Sequence, residues 1–192
     1  MIVFVAAFMF VQTSAIQWQG GVAIAPAFRG HQYGPVFRVG KAWRIEPHVS
    51  FQLEGAFGMV GTTGTHTDCG IGQCFMSDIE FRARELEVPT LLVLSLGPRE
   101  SVFLTAGPVF AARVTCDGFI GGLKRDSCPL GSDLAWGGAF GVGVRTPIGL
   151  SVEARLQSFY TPLVRMSSGD NLLGDHAFRA RAVTLAVGWG RR

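Results

Sequence analysis

Val49-Ser50-Phe51-Gln52-Leu53-Glu54-Gly55-Ala56-Phe57-Gly58-Met59 alternates with period two. Val49, Phe51, Leu53, Phe57 and Met59 fall on one face, and Ser50, Gln52, Glu54, Ala56 and Gly58 on the other. A strand turns successive side chains to opposite faces, so this stretch predicts a strand with one apolar side and one polar-or-small side. Leu150–Gln157 divides the same way, with Leu150, Val152, Ala154 and Leu156 opposing Ser151, Glu153, Arg155 and Gln157. The pattern recurs at 134–145, at 182–189 and, near the start, at 17–28. Less regular strands are expected at about 35–43, 79–96 and 101–115, which makes eight in all.

The connections alternate in length. Glu46-Pro47-His48, Gly97-Pro98-Arg99-Glu100 and Thr146-Pro147-Ile148-Gly149 have turn chemistry and are tight. The segments 61–78, 116–133 and 163–177 are long, polar and glycine-rich, and are expected as loops. Short connections at one end and long ones at the other are the layout of an up-and-down transmembrane barrel. The fold class expected is all-β: an eight-stranded antiparallel up-and-down transmembrane β-barrel.

Composition supports this over other classes. The chain has 192 residues, 26 of them glycine, and 16% are charged against a usual share of about 25%. Glycine at that level disfavours helix bundles. An apolar content of 48% excludes a disordered chain. A net charge of +3 does not suggest nucleic-acid binding.

Alternation alone does not say which face is inside. A soluble ligand-binding barrel turns its large apolar residues inward, and a membrane barrel turns them toward lipid. The polar-or-small face here is poor in lysine: Lys41 and Lys124 are the only two. It suits a narrow lumen better than a solvated exterior. Glu54, Glu87, Arg145, Glu153 and Arg155 are therefore expected to form a paired lumen network, because an isolated buried ion is costly. Trp18, Trp43, Trp136 and Trp189 suit the membrane interface.

Residues 1–15 have the outline of a secretory signal peptide, an apolar core followed by small residues, with cleavage after Ala15; residues 16–192 are then the barrel domain. The four cysteines, Cys69, Cys74, Cys116 and Cys128, suggest disulfides in an oxidising compartment. Local pairs 69–74 and 116–128 are the simplest arrangement, with cross-loop pairing the alternative. Zinc is the rival, with His66 three residues before Cys69, but the spacings lack the short paired knuckles of structural zinc sites. His31, His66 and His176 are expected in or beside loops.

Leu86-Glu87-Val88-Pro89-Thr90-Leu91-Leu92, a turn at 97–100, Ala106-Gly107-Pro108-Val109-Phe110 and then Gly138–Val144 and Leu150–Arg155 follow one another along the chain. In order and spacing they resemble the PorT-like outer-membrane β-barrel domain family. The resemblance implies an outer-membrane location and a barrel fold, and no shared reaction. Barrels of that family usually end on an aromatic residue, whereas Trp189 here lies three residues from the end.

His48-Val49-Ser50 with Glu54 superficially matches the His-x-Ser pair and acid of outer-membrane lipid A deacylases. The tight turn at His48 puts it away from outer-leaflet lipid, and alternation turns Ser50 and Glu54 to the lumen. The expectation is a non-enzymatic, monomeric barrel with no cofactor and no metal. Its contacts are outer-membrane lipids and an extracellular or envelope protein partner held by disulfide-restrained loops. The alternatives are a soluble or periplasmic ligand-binding barrel and, further off, a lipid hydrolase.

Overall fold

A computed structural model describes residues 14–27, 30–70, 73–97, 100–120, 123–125, 133–166 and 176–190. The strands are β1 (Ser14–Ala27), β2 (Gly30–Glu46), β3 (Val49–Gly70), β4 (Gln73–Leu96), β5 (Val102–Ile120), β6 (Leu123–Arg125), β7 (Leu134–Arg145), β8 (Leu150–Met166) and β9 (His176–Gly190). β6 is a three-residue return against the end of β5. The other eight form one antiparallel ring, each paired with its neighbour in the chain and β9 closing on β1.

The register fixes the ring's geometry. Facing residues run from Ser14 through Trp43, Phe51, Leu92, Ala106, Phe140, Leu156 and Val183 back to Ile24. One circuit climbs from residue 14 to residue 24 of β1, a shear of ten. With eight strands and standard strand spacings, that shear tilts the strands by about 40° and leaves a lumen that side chains can fill.

The tight connections collect at one end. The β2–β3 turn is Pro47-His48, the β4–β5 turn opens on Gly97 at φ 84°, and the β7–β8 turn closes on Gly149 at φ 90°. Both glycines occupy left-handed backbone that a side chain would strain. Gly97 accepts a hydrogen bond from Glu100 N at 3.1 Å, and Thr146 accepts one from Gly149 N at 3.0 Å.

At the other end strand extends into each of the expected loops. β3 and β4 stay paired as far as Gly70 and Gln73, so most of 61–78 is a hairpin arm. Likewise β5 continues to Ile120, β8 to Met166, and β9 begins at His176. The polarity that suggested loops has another cause. Thr62, Thr63, Thr65 and Thr67 are β-branched and favour extended backbone. Polar residues are also what an arm needs where its outer surface meets water.

The large apolar side chains point outward over the middle and turn end of the ring. Trp18, Phe37, Leu92, Trp136, Phe140 and Leu156 are all more than half exposed. Val49–Met59 and Leu150–Gln157 place their faces as the alternation predicts, with Gln52, Glu54, Glu153 and Arg155 buried inside. Trp18 stands directly opposite Trp189, and Trp136 packs on Tyr160 with ring centroids 4.9 Å apart. The 1–15 segment lies outside the described residues except Ser14 and Ala15, whose backbone pairs with Trp43 and Ala42.

A closed sheet exposes no edge for SDS to open, so the folded protein should run as a compact species when unboiled and slow on boiling. Gly107 tests the packing behind this. A Cβ there would collide with the Thr90 carbonyl oxygen and lie 3.0 Å from Leu91 Cα. Gly107→Val is expected to lose most of the compact cold species in the same gel.

Candidate functional site

Half-way along the barrel every strand contributes to one buried polar belt. Arg155 on β8 is its hub. Its Nη1 donates to Glu54 Oε2 at 2.5 Å and its Nη2 to Glu54 Oε1 at 3.0 Å. Its Nε donates to Glu153 Oε1 at 2.9 Å, and Nη2 also reaches Glu153 Oε2 at 3.0 Å. One guanidinium thus clamps two carboxylates, using the planar fork that makes arginine suited to bidentate pairing.

The other strands complete the belt. Arg38 on β2 lies 3.5 Å from Glu153 and donates to Gln19 of β1 at 3.3 Å and to Thr184 Oγ1 of β9. Thr105 on β5 donates to Glu153 at 2.9 Å, and Gln52 on β3 to Glu54 at 2.7 Å. Glu87 on β4 receives Gln157 Nε2 at 2.6 Å. β7 contributes space: a Cβ on Gly141 would meet Thr105 Oγ1 and lie 2.7 Å from Glu153 Oε1. The belt holds three carboxylates and two guanidiniums, all at most 3% exposed.

Toward the hairpin end the lumen becomes apolar. Val60, Ile79, Phe81, Ala111, Phe159 and Ala180 belong to one buried cluster there. Arg113 pairs with Glu85 at 3.0 Å beside it. At the turn end Phe103 is buried and Arg145 lies over its ring at 5.0 Å.

Of the residues expected in a lumen network, the structure brings Glu54, Glu153 and Arg155 into direct contact, and Glu87 is held separately by Gln157. Arg145 is not among them; it covers the turn end instead. Arg38 is a belt member that the sequence reading passed over. It shares a face with Gly34, Val36, Gly40 and Ala42, so strand parity carried the signal. Arg113 was hidden by a bulge: Arg84 faces Thr115 while Glu85 faces Arg113, leaving Val114 as the extra residue.

The His48, Ser50 and Glu54 set is dispersed. His48 lies in the turn, 3.9 Å from Glu100. Glu54 is four residues from Ser50, about 13 Å along the strand, and both its oxygens are held by Arg155. Cys69 stands opposite Cys74 in the β3–β4 register. Cys116, opposite Ala83, packs on the apolar cluster. Neither Cys74 nor Cys116 is free. Cys128 and the side chains of His31, His66, Cys69 and His176 lie outside the described set. Among the described residues no group of three or more His, Cys, Asp or Glu is placed to hold a metal ion.

No protein-family model matches the chain, and no curated protein does. The PorT-like resemblance therefore stays with the motifs that carried it. Similar solved structures include Neisserial surface protein A, at 12% identity over 92% of this chain and 96% of that one, with a TM-score of 0.43. Ail, the attachment invasion locus protein of Yersinia pestis, in complex with the heparin analogue sucrose octasulfate, is 12% identical over 93% and 97%, with a TM-score of 0.42. CarO2 of Acinetobacter baumannii is 11% identical over 92% and 99%, also with a TM-score of 0.42. The barrel assigned above rests on this chain's own register.

Removing Arg155 leaves Glu54 and Glu153 buried against each other. Arg155→Leu is expected to destabilise the barrel by about 3–5 kcal/mol. Urea unfolding in detergent micelles, followed by tryptophan fluorescence, measures it. Arg145→Leu, which leaves the belt intact, should cost far less in the same assay.

Proposed function

We propose that this chain is an outer-membrane β-barrel protein of a Gram-negative-type bacterium. In this reading the barrel is the membrane anchor and the hairpin arms are the extracellular interaction surface. The observation that carries it is the height and sharp upper edge of the outward apolar band. On β4 the outward residues from Leu96 to Leu86 are Leu, Leu, Leu, Thr, Val and Leu, and the next two outward positions are Arg84 and Arg82. Ten steps of strand at a tilt of about 40° rise about 25 Å, the height of the lipid-facing band of such barrels. β9 does the same: Val187, Leu185 and Val183 are followed outward by Arg181 and Arg179.

The turn end then faces the periplasm and the arms face outside. Residues 1–15 act as the export signal. The lumen is crossed by Arg155, Arg38 and their carboxylates, which supports an anchor rather than a solute pore. The protein acts without catalysis and as a monomer, its arms meeting an extracellular or envelope protein.

Disulfides brace the arms. Cys116 faces Ala83, nine residues along β4 from Cys74 and so about 30 Å away, too far for these two to bond each other. The cross-strand position of Cys69 and Cys74 favours the local pairs 69–74 and 116–128. Each closes an arm and narrows its unfolded ensemble.

Fractionation tests the whole reading. The protein should sediment with outer membranes, need detergent for extraction, and expose an epitope tag placed at 71–72 on intact cells. Release in a detergent-free periplasmic extract would overturn it. Mass spectrometry of a non-reduced digest should recover the peptides joining 69 to 74 and 116 to 128; cross-joined peptides would reject the local pairing.

A further inference from the structure

The β1–β2 hairpin leaves the barrel wall at its outer end. β2 pairs with β3 only as far as Phe37–Phe57, and β1 with β9 only as far as Ile24–Val183. Beyond them β3 and β9 meet directly, with Gly61 opposite Arg181. The displaced hairpin rests against β3: a Cβ on Gly34 would come within 2.8 Å of the Met59 side chain, which belongs to the outward face.

This leaves a crevice of about 230 Å³ at the top of the lipid-facing band. One side is apolar, with Tyr33, Pro35 and Met59. The other is basic, with Arg82 and Arg84. Asp117 also borders it, but its carboxylate lies 2.9 Å from Lys124 Nζ. Arg82 is held by Glu80 at 2.7 Å. Arg84 has no ion-pair partner among the described residues, and neither has Arg181. Gly61 stands between Arg82 and Arg181 in one row of the sheet.

We propose that this crevice binds the phosphorylated headgroup of an outer-leaflet glycolipid. Arg84, with Arg82 beside it, takes the phosphate through charge-assisted, fork-like hydrogen bonds. Tyr33, Pro35 and Met59 receive the start of an acyl chain. Position decides for a lipid over a free anion. Arg84 is one outward step from Leu86, so its guanidinium sits where headgroup meets hydrocarbon. Free phosphate would have no use for the apolar wall. Attraction to an anionic surface is general for basic residues at this depth, but the crevice makes it a bounded site.

The proposal rests on the outer-membrane reading, and the experiment separates the two. Barrel folded in dodecyl maltoside is titrated with bisphosphorylated lipid A, with its phosphatase-treated form, and with inorganic phosphate, and bound lipid is read by native mass spectrometry. Wild type should retain the bisphosphorylated lipid and not the dephosphorylated one. Arg84→Gln should bind it about tenfold more weakly or worse, the effect of losing a hydrogen bond to a charged group. Arg84 projects outside the barrel, so the variant should keep the compact cold SDS species. Equal retention of both lipids, unchanged binding by Arg84→Gln, or inorganic phosphate displacing the lipid at equal concentration would each overturn the site. If the barrel needed no detergent at all, the membrane reading would fall, and that outcome is visible before any lipid is added.

Discussion

With β1 hydrogen-bonded to β9 over eight residue pairs, from Gln17–Gly190 to Ile24–Val183, the sheet has no edge. Each of the eight ring strands finds both its backbone partners inside the chain, the condition that a hydrocarbon solvent imposes. Closure at eight strands with a shear of ten then sets the radius, and the radius sets what can stand inside. Glycine and alanine stand at many lumen positions around the belt because long side chains can be admitted only where a neighbour gives way. Gly141 gives way to Thr105 and Glu153, and Gly143 gives way to the Phe103 ring.

The polar belt follows from the same narrowness. Water has little room in the lumen, so a charge placed there must be met by side chains from other strands. Arg155 and Glu54 are 101 residues apart in sequence and join opposite parts of the wall. A buried ion pair of this kind is a poor source of net stability compared with an apolar filling. It is a strong selector of register, because a slip of β8 by one residue would turn Arg155 and Glu153 to the outside together and leave Glu54 within without its guanidinium.

β3 and β8 were legible because one phase of alternation holds over the stretches that were read. β4 was read less cleanly, as 79–96 without its outer arm, and the reason is physical. Its lumen face runs Ile79, Phe81, Ala83, Glu85, Glu87, and its outer face runs Glu80, Arg82, Arg84, Leu86, Val88. The apolar phase is inside above Arg84 and outside below it, so a search for one amphipathic strand sees noise. The arms at 61–78 misled for the same reason: a strand whose exterior meets water loses the greasy face that marked the others. In the belt, acids and arginines on clean strands could be named, but partners could not. Pairing across the lumen depends on height, and height comes from the shear, which no single strand encodes. Arg145 shares its lumen-facing parity and differs only in level.

The phase reversal on β4 and β9 has a consequence for where such a barrel can reside. Leu86 and Arg84 differ by about 5 Å in height, and so do Val183 and Arg181, which makes the upper boundary a step rather than a gradient. A barrel cannot tilt its strands to adjust, since shear and strand number lock the angle. A thicker bilayer would have to thin around it or draw guanidiniums into hydrocarbon, and a thinner one would leave leucine and valine wet. On the outer-membrane reading proposed above, the barrel is a fixed gauge, matched to a hydrocarbon thickness of about 25 Å.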